Sequence, residues 1–250
     1  MKIALCLYGY IGKMKKSMYG DTNKVMLIDE GYSHIKENVI GNYDVSTFIH
    51  SFDLQRKEEI LSTYTPTDSI IESQKQDFLI DHTKYLGNCA SHNYSKQSLV
   101  FNLQSAKYSR KQSILLKDEF EKNNNLKFDW VFVGRFDMAY MYPFNYNELN
   151  NNKIYVAGTT DNSLNRGKIH DVYFLGNSDN INKIANFYDD MYQCGLNEKN
   201  FMENIHDIEA IYFKKNNLWN LLECMYDSPR NWSGEIRNLR HKPDVKWKIL

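Results

Sequence analysis

Arg135 and Asp137, two residues of opposite charge, stand two apart and close the apolar run Trp130, Val131, Phe132, Val133, Gly134. In an extended chain such positions share a face, so guanidinium and carboxylate project together. A carboxylate there can hold a hard divalent cation that also bridges phosphate oxygens. A guanidinium can take a phosphate directly through its planar fork. An Arg–Asp pair that only closes the strand end is the plainer reading of the same spacing. Asp171 opens another apolar run after a glycine-containing loop over 159–170. A carboxylate entering a cleft from a loop suits a general base for a hydroxyl. Glu209 is the second candidate base. His206, Asp207 and Glu209 fall on one predicted helix, with His206 and Glu209 three apart on a shared face. That pair suits a base, a metal ligand, or simply a solvated helix face.

Other residues could surround a ligand. Leu7, Tyr8 and Gly9 end the first apolar run, with Gly12 close behind. Glycines after a buried strand let backbone approach a nucleotide closely, although the pattern is neither GxGxxG nor a P-loop. His50 ends the second run as a ligand, a base or a satisfied buried group. Lys107 and Arg110, with Gln104, Tyr108 and Lys111, mix cations and an aromatic ring on one predicted helix. That mixture suits a nucleobase and phosphates, or an exposed face of snorkelling side chains. Trp219, Trp232 and Trp247 offer aromatic faces for sugars, or core contacts.

These residues need elements to position them. Continuous apolar residues over 3–7 predict a strand buried on both faces. Further strands are expected over 43–50, 128–134, 152–157 and 171–176. Helices are expected over 32–40, 57–61, 97–122, 180–192 and 204–216, with Ser178 as an N-cap. The tail from Pro229 reads as irregular. Strands alternating with helices predict one layered α/β domain. In open α/β sheets, ligands bind at the carboxyl ends of strands, where Arg135 and Asp137 fall.

Composition narrows the function classes. Lys plus Arg equals Asp plus Glu at 31 each, a formal net charge of +0. Duplex nucleic acid normally requires a clear basic excess, so no nucleic-acid partner is expected. Cys6, Cys89, Cys194 and Cys224 form no CxxC pair, which excludes a zinc site of ordinary spacing and a disulfide framework. Reduced thiols fit a cytoplasmic protein, with Cys6 buried. The N-terminal apolar run is too short for a signal peptide, and no stretch reaches the length of a membrane span. Peripheral membrane association stays open.

Four segments occur in a familiar order: residues 2–9, 43–50, 105–109 and 128–137. Together they resemble the GT-A-like glycosyltransferases of bacterial surface-polysaccharide clusters and of large viruses of algae and protists. The likeness covers the first two thirds of the chain, and the last third only through 171–176. It implies a single GT-A-like (Rossmann-like) domain, with a mostly parallel mixed sheet covered by helices on both faces. Residues 1–137 would form the nucleotide-sugar-binding half and 138–250 the acceptor-binding half. The implied partners are a nucleotide-sugar donor and a glycan acceptor, in polysaccharide biosynthesis. Leu7, Tyr8, Gly9, His50, Lys107, Arg110, Arg135 and Asp137 would then surround the donor. Asp137 matches the metal-holding Asp of an Asp-x-Asp motif, implying Mn²⁺ or Mg²⁺, but Arg135 stands where the first Asp belongs. Two alternatives accompany this reading. One is a non-catalytic nucleotide-sugar or glycan-binding module of the same fold. The other is a nucleotidyltransferase, for which Lys13, Lys15 and Lys16 after Gly12 would be the basic loop.

Overall fold

The apolar run near the N-terminus becomes the central strand of a seven-stranded sheet. A computed structural model describes residues 1–11, 28–89, 95–140, 142–157, 164, 167–169, 171–197, 201–202, 205–225 and 236–238. In chain order the elements are β1 (Ile3–Gly9), α1 (Ile28–His34) continued by a π-helical turn (Ile35–Ile40), β2 (Val45–Ser51) and α2 (Lys57–Tyr64). Next come β3 (Asp68–Ile71), α3 (Lys96–Asn123), β4 (Trp130–Arg135), β5 (Met138–Tyr140) and β6 (Ile154–Val156). The rest are β7 (Tyr173–Gly176), α4 (Ser178–Ala185), α5 (Phe187–Asp190), α6 (Ile205–Lys215), β8 (Leu222–Cys224) and β9 (Ile236–Asn238).

The sheet order is β3-β2-β1-β4-β7-β6-β8, and β5 pairs separately with β9. Strands β1 to β4 of this sheet are mutually parallel, β7 is antiparallel to both β4 and β6, and β8 is parallel to β6. The sheet is therefore mixed but mostly parallel. It joins the two expected halves of the chain, because β4 pairs with β7 across the division at residue 137.

Alternation along β1 explains why its run is continuously apolar. Ala4, Cys6 and Tyr8 pack on the face covered by α3 to α6, while Ile3, Leu5 and Leu7 pack on the face covered by α1, α2 and the Phe144–Tyr146 segment. Helices thus cover both faces, as expected. No helix among the described residues is long and apolar enough to cross a membrane.

Several elements differ from expectation. The helix predicted over 180–192 is two shorter ones, and its N-cap is Asn177, whose side chain accepts from the Asn180 N–H. Ser178 lies inside the helix, where its hydroxyl meets Lys117 and Glu121. Strands β3, β5, β8 and β9, three or four residues each, add to the expected set.

The topology gathers several strand ends along one edge. Gly9, Ser51, Ile71 and Arg135 end parallel strands and therefore lie along one side of the sheet. Strand β7 runs the other way and begins at that side, with Tyr173 opposite Gly134. Asp171, two residues ahead of it, is thereby delivered beside Arg135. The same edge needs glycine at 134. A Cβ there would sit 2.6 Å from Phe132 Cε1 and 2.6 Å from Tyr140 Oη. Both rings are buried, so neither can swing away. Gly134→Ala is expected to lower stability by about 1–3 kcal/mol through overpacking, measured by urea unfolding. An unchanged midpoint would contradict this packing.

Candidate functional site

Strand β4 ends in a closed ion pair. Arg135 Nε donates to Asp137 Oδ1 at 2.8 Å and Nη2 to Oδ2 at 2.5 Å. Both carboxylate oxygens are engaged by one fork. Asp137 is only 2% exposed, whereas the Arg135 side chain is 32% exposed. Burial works against the guanidinium charge, but Asp137 more than offsets it and holds Arg135 protonated. The pair forms because the chain turns at Phe136 and Asp137 between β4 and β5, folding the carboxylate back beneath the strand end.

A second cluster lies beside it on the α3 face. Lys107 Nζ donates to Asp171 Oδ2 at 2.6 Å and to Glu209 Oε2 at 3.1 Å. Arg110 Nη1 lies 2.6 Å from Glu209 Oε1, a charge pair that favours the guanidinium cation against its burial. The Arg110 guanidinium also lies over the Phe174 ring, 4.9 Å from its centre. Lys107, Arg110 and Glu209 are all buried. Burial alone would raise the Asp171 carboxyl, but Lys107, His206 and Arg135 outweigh it and hold it well below the usual carboxylate range. Tyr8 donates its hydroxyl to the Asp171 carbonyl at 3.2 Å. Burial, followed by the Asp171 charge, pushes this phenol well above its ordinary value. His206 contacts the Ile169 carbonyl through Nδ1 at 2.5 Å and lies 4.0 Å from Asp171 Oδ1.

His50 sits at the end of β2. Its Nδ1 is 2.8 Å from Ser109 Oγ and its Nε2 is 3.2 Å from Glu72 Oε1. The Ser109 hydroxyl also accepts the Gly9 N–H at 2.9 Å. It therefore clamps the tips of β1 and β2 to α3. Gly9 has φ of +110°, a backbone state that side-chain-bearing residues rarely adopt. Burial pushes the His50 imidazole down to about 4 despite the pull of Glu72.

The expected residues thus divide. Tyr8, Gly9, Lys107, Arg110, Arg135, Asp137, Asp171, His206 and Glu209 converge on one edge. Leu7 faces the opposite core, packed among α1 and α2 side chains, so its side chain does not reach the edge. Glu209 is fully buried between two cations and serves as their anchor, with no opening for a substrate hydroxyl. Gln104 pins Ile80 through both its amide atoms, and Lys111 pairs with Asp189 at the surface. Tyr108 meets Lys75, and Lys214 lies over Trp219. Gly12, Lys13, Lys15, Lys16, Trp232 and Trp247 lie outside the described residues. Ser109 falls within the 105–109 segment, but a lone serine in a helix gives no signal of its clamping role. Two surface recesses formed by described residues lie away from this edge, one lined by Ile114, Asp118 and Asn182, the other by Glu37, Tyr43 and Phe144.

The donor set is a poor fit for a divalent cation on Asp137. Such an ion needs accessible carboxylate lone pairs, and here the carboxylate is 2% exposed with one lone pair of each oxygen already taken by the Arg135 fork. Among the described residues no three His, Cys, Asp or Glu side chains are grouped to hold a metal. No protein-family model matches the chain, and no curated protein is significantly similar to it.

Two outcomes follow from this geometry. Glu209→Ala leaves Arg110 buried without its carboxylate, and should cost about 3–5 kcal/mol in urea unfolding. A loss below about 1 kcal/mol would show that the cluster carries little of the fold. His50 is predicted to make the protein acid-sensitive. In the unfolded chain an imidazole titrates near about 6.5, while in the folded protein His50 titrates near 4. Below the higher value the unfolded chain gains a proton that the native state refuses, so stability falls from pH 6.5 towards pH 4. The loss is at most roughly 3.5 kcal/mol, at about 1.4 kcal/mol per unit of displacement. His50→Gln should flatten that slope in melts taken across this range.

Proposed function

We propose that the protein is a nucleotide-sugar-dependent glycosyltransferase with a GT-A-like fold, acting in polysaccharide biosynthesis in the cytoplasm. It transfers a sugar from a nucleoside diphosphate to a hydroxyl of a glycan acceptor. One observation carries the reading. At the carboxyl edge of parallel strands, where α/β sheets bind ligands, a partly exposed arginine, Arg135, stands close enough to Asp171 for each to favour the other's charged form.

The reaction places demands that these residues meet. The leaving diphosphate gains negative charge as the glycosidic bond breaks, and a fixed guanidinium is aimed to stabilise it. The acceptor hydroxyl must lose a proton. Asp171 is the more exposed carboxylate of its cluster, 19% against 0% for Glu209, and it accepts that proton. Lys107 holds it in place and ionised. Because its affinity for protons is depressed, transfer comes late, once the bond to the sugar has made the hydroxyl acidic. Arg110 and Glu209 form the scaffold beneath, and Tyr8 and Gly9 border the donor.

One feature favours a second reading. Lys107, Arg110 and Arg135 are balanced one for one by Glu209, Asp171 and Asp137, so the cluster brings no net positive charge to a diphosphate. A non-catalytic module that binds a nucleotide sugar or glycan would tolerate this balance, and retained donor binding with no turnover would identify it.

A panel of nucleotide sugars tests the proposal through thermal shift and slow donor hydrolysis. At least one donor should raise the melting temperature and be hydrolysed. Asp171→Asn should lower turnover by about 10²-fold or more, the ordinary contribution of a general base, with donor affinity little changed. A chain that responds to no nucleotide or nucleotide sugar is not a glycosyltransferase. Release of pyrophosphate from a nucleoside triphosphate would reassign it as a nucleotidyltransferase.

A further inference from the structure

We infer that Arg135 itself receives the donor diphosphate, without a divalent cation, and that Asp137 is its positioning residue. This rests on the glycosyltransferase reading and specifies how its site handles charge.

Three features of the pair support the assignment. The first is the direction of the fork. Asp137 takes Nε and Nη2 of Arg135, which is the side of the guanidinium nearest its own chain. A guanidinium has further N–H groups on Nη1 and Nη2, and these form the outer edge of the fork. That edge matches two oxygens of a phosphate.

The second is the asymmetry of burial. The carboxylate is closed off at 2% exposure, while the Arg135 side chain is 32% exposed. A ligand arriving at the strand ends meets Arg135 before Asp137. For Asp137 to bind a metal, the buried carboxylate would have to be uncovered and to share its oxygens with a two-point charged contact. The incoming dication would also stand directly beside Arg135, where like charges repel.

The third is rigidity. Arginine loses much side-chain freedom on binding an anion. Here the fold has already fixed it, because Asp137 is held by the turn between β4 and β5. A guanidinium fixed beforehand stabilises developing charge without reorganising. Lysine at 135 would keep the charge but could not be forked by Asp137 while gripping phosphate at two points. The same arrangement gives Arg135 a reason to stand where a metal-binding motif would carry a carboxylate.

The experiment compares nucleoside diphosphates (ADP, GDP, UDP and CDP) with their parent nucleosides by isothermal titration, in EDTA and then in Mn²⁺. The expected result is that the preferred diphosphate binds in both buffers with similar affinity. Arg135→Lys should weaken diphosphate binding about tenfold or more, the loss of a charge-assisted two-point contact, while nucleoside binding stays unchanged. Asp137→Asn should do the same more mildly. The comparison with nucleoside separates loss of an anchor from general damage to the fold. Binding of the wild-type protein only in Mn²⁺ would overturn the inference and leave the glycosyltransferase reading standing. So would unchanged diphosphate binding by Arg135→Lys. Binding in neither buffer would remove the glycosyltransferase reading, and the anchor with it.

Discussion

The interaction on which the site depends is the buried set of ion pairs made by Lys107 and Arg110 with Glu209 and Asp171. Helix α3 packs on β1 and β2, and its inward face would ordinarily be apolar. Instead Leu103, Lys107, Arg110, Ile114, Lys117 and Glu121 follow one another at helical spacing along that face, and all are buried. Each cation finds its charge partner away from its own turn of helix or four residues along it. Lys107 reaches Asp171 before β7 and Glu209 on α6. Arg110 reaches Glu209. Lys117 meets Glu121, Ser178 and Asn182. Buried charges are tolerated only when paired, so the pairing constrains how α3, α4, α6 and β7 can sit relative to one another.

That constraint has chemical consequences. With Lys107 fixed, Asp171 is ionised and stationary at the sheet edge. Its own depressed proton affinity and its contribution to the charge around Tyr8 and Arg135 follow from the same contacts. The neighbouring pair of Arg135 and Asp137 is built on a different principle. It is local, two residues apart, and made by a tight turn. One cluster is assembled by long-range packing and the other by chain geometry, and they meet because β7 runs antiparallel to β4. A parallel strand at that position would have delivered its amino end, and Asp171 with it, to the opposite side of the sheet.

The sequence by itself determined a good deal. Five of the sheet strands and the long helix are visible in apolar runs and helical periodicity, because each is long enough or apolar enough to declare its period. Arg135 and Asp137 were legible as a unit, since alternation in a strand is a local rule. Asp171 and Glu209 stood out as carboxylates beside apolar runs, but their roles did not. Only the tertiary structure decided that Glu209 is sealed between two cations, that Lys107 and Arg110 face inward, and that Leu7 points away from the edge. Side-chain direction on a helix whose inward stripe mixes cations with apolar residues is ambiguous until its partners are in place. The strands β3, β5, β8 and β9 were equally hidden: β3 and β8 are the edges of the sheet, β5 and β9 pair with each other outside it, and each takes its conformation from the neighbour it pairs with. The opening pair changed most: spacing allowed a metal-holding carboxylate or an ion pair, and the turn between β4 and β5, by bringing both Asp137 oxygens onto one guanidinium, made it the ion pair.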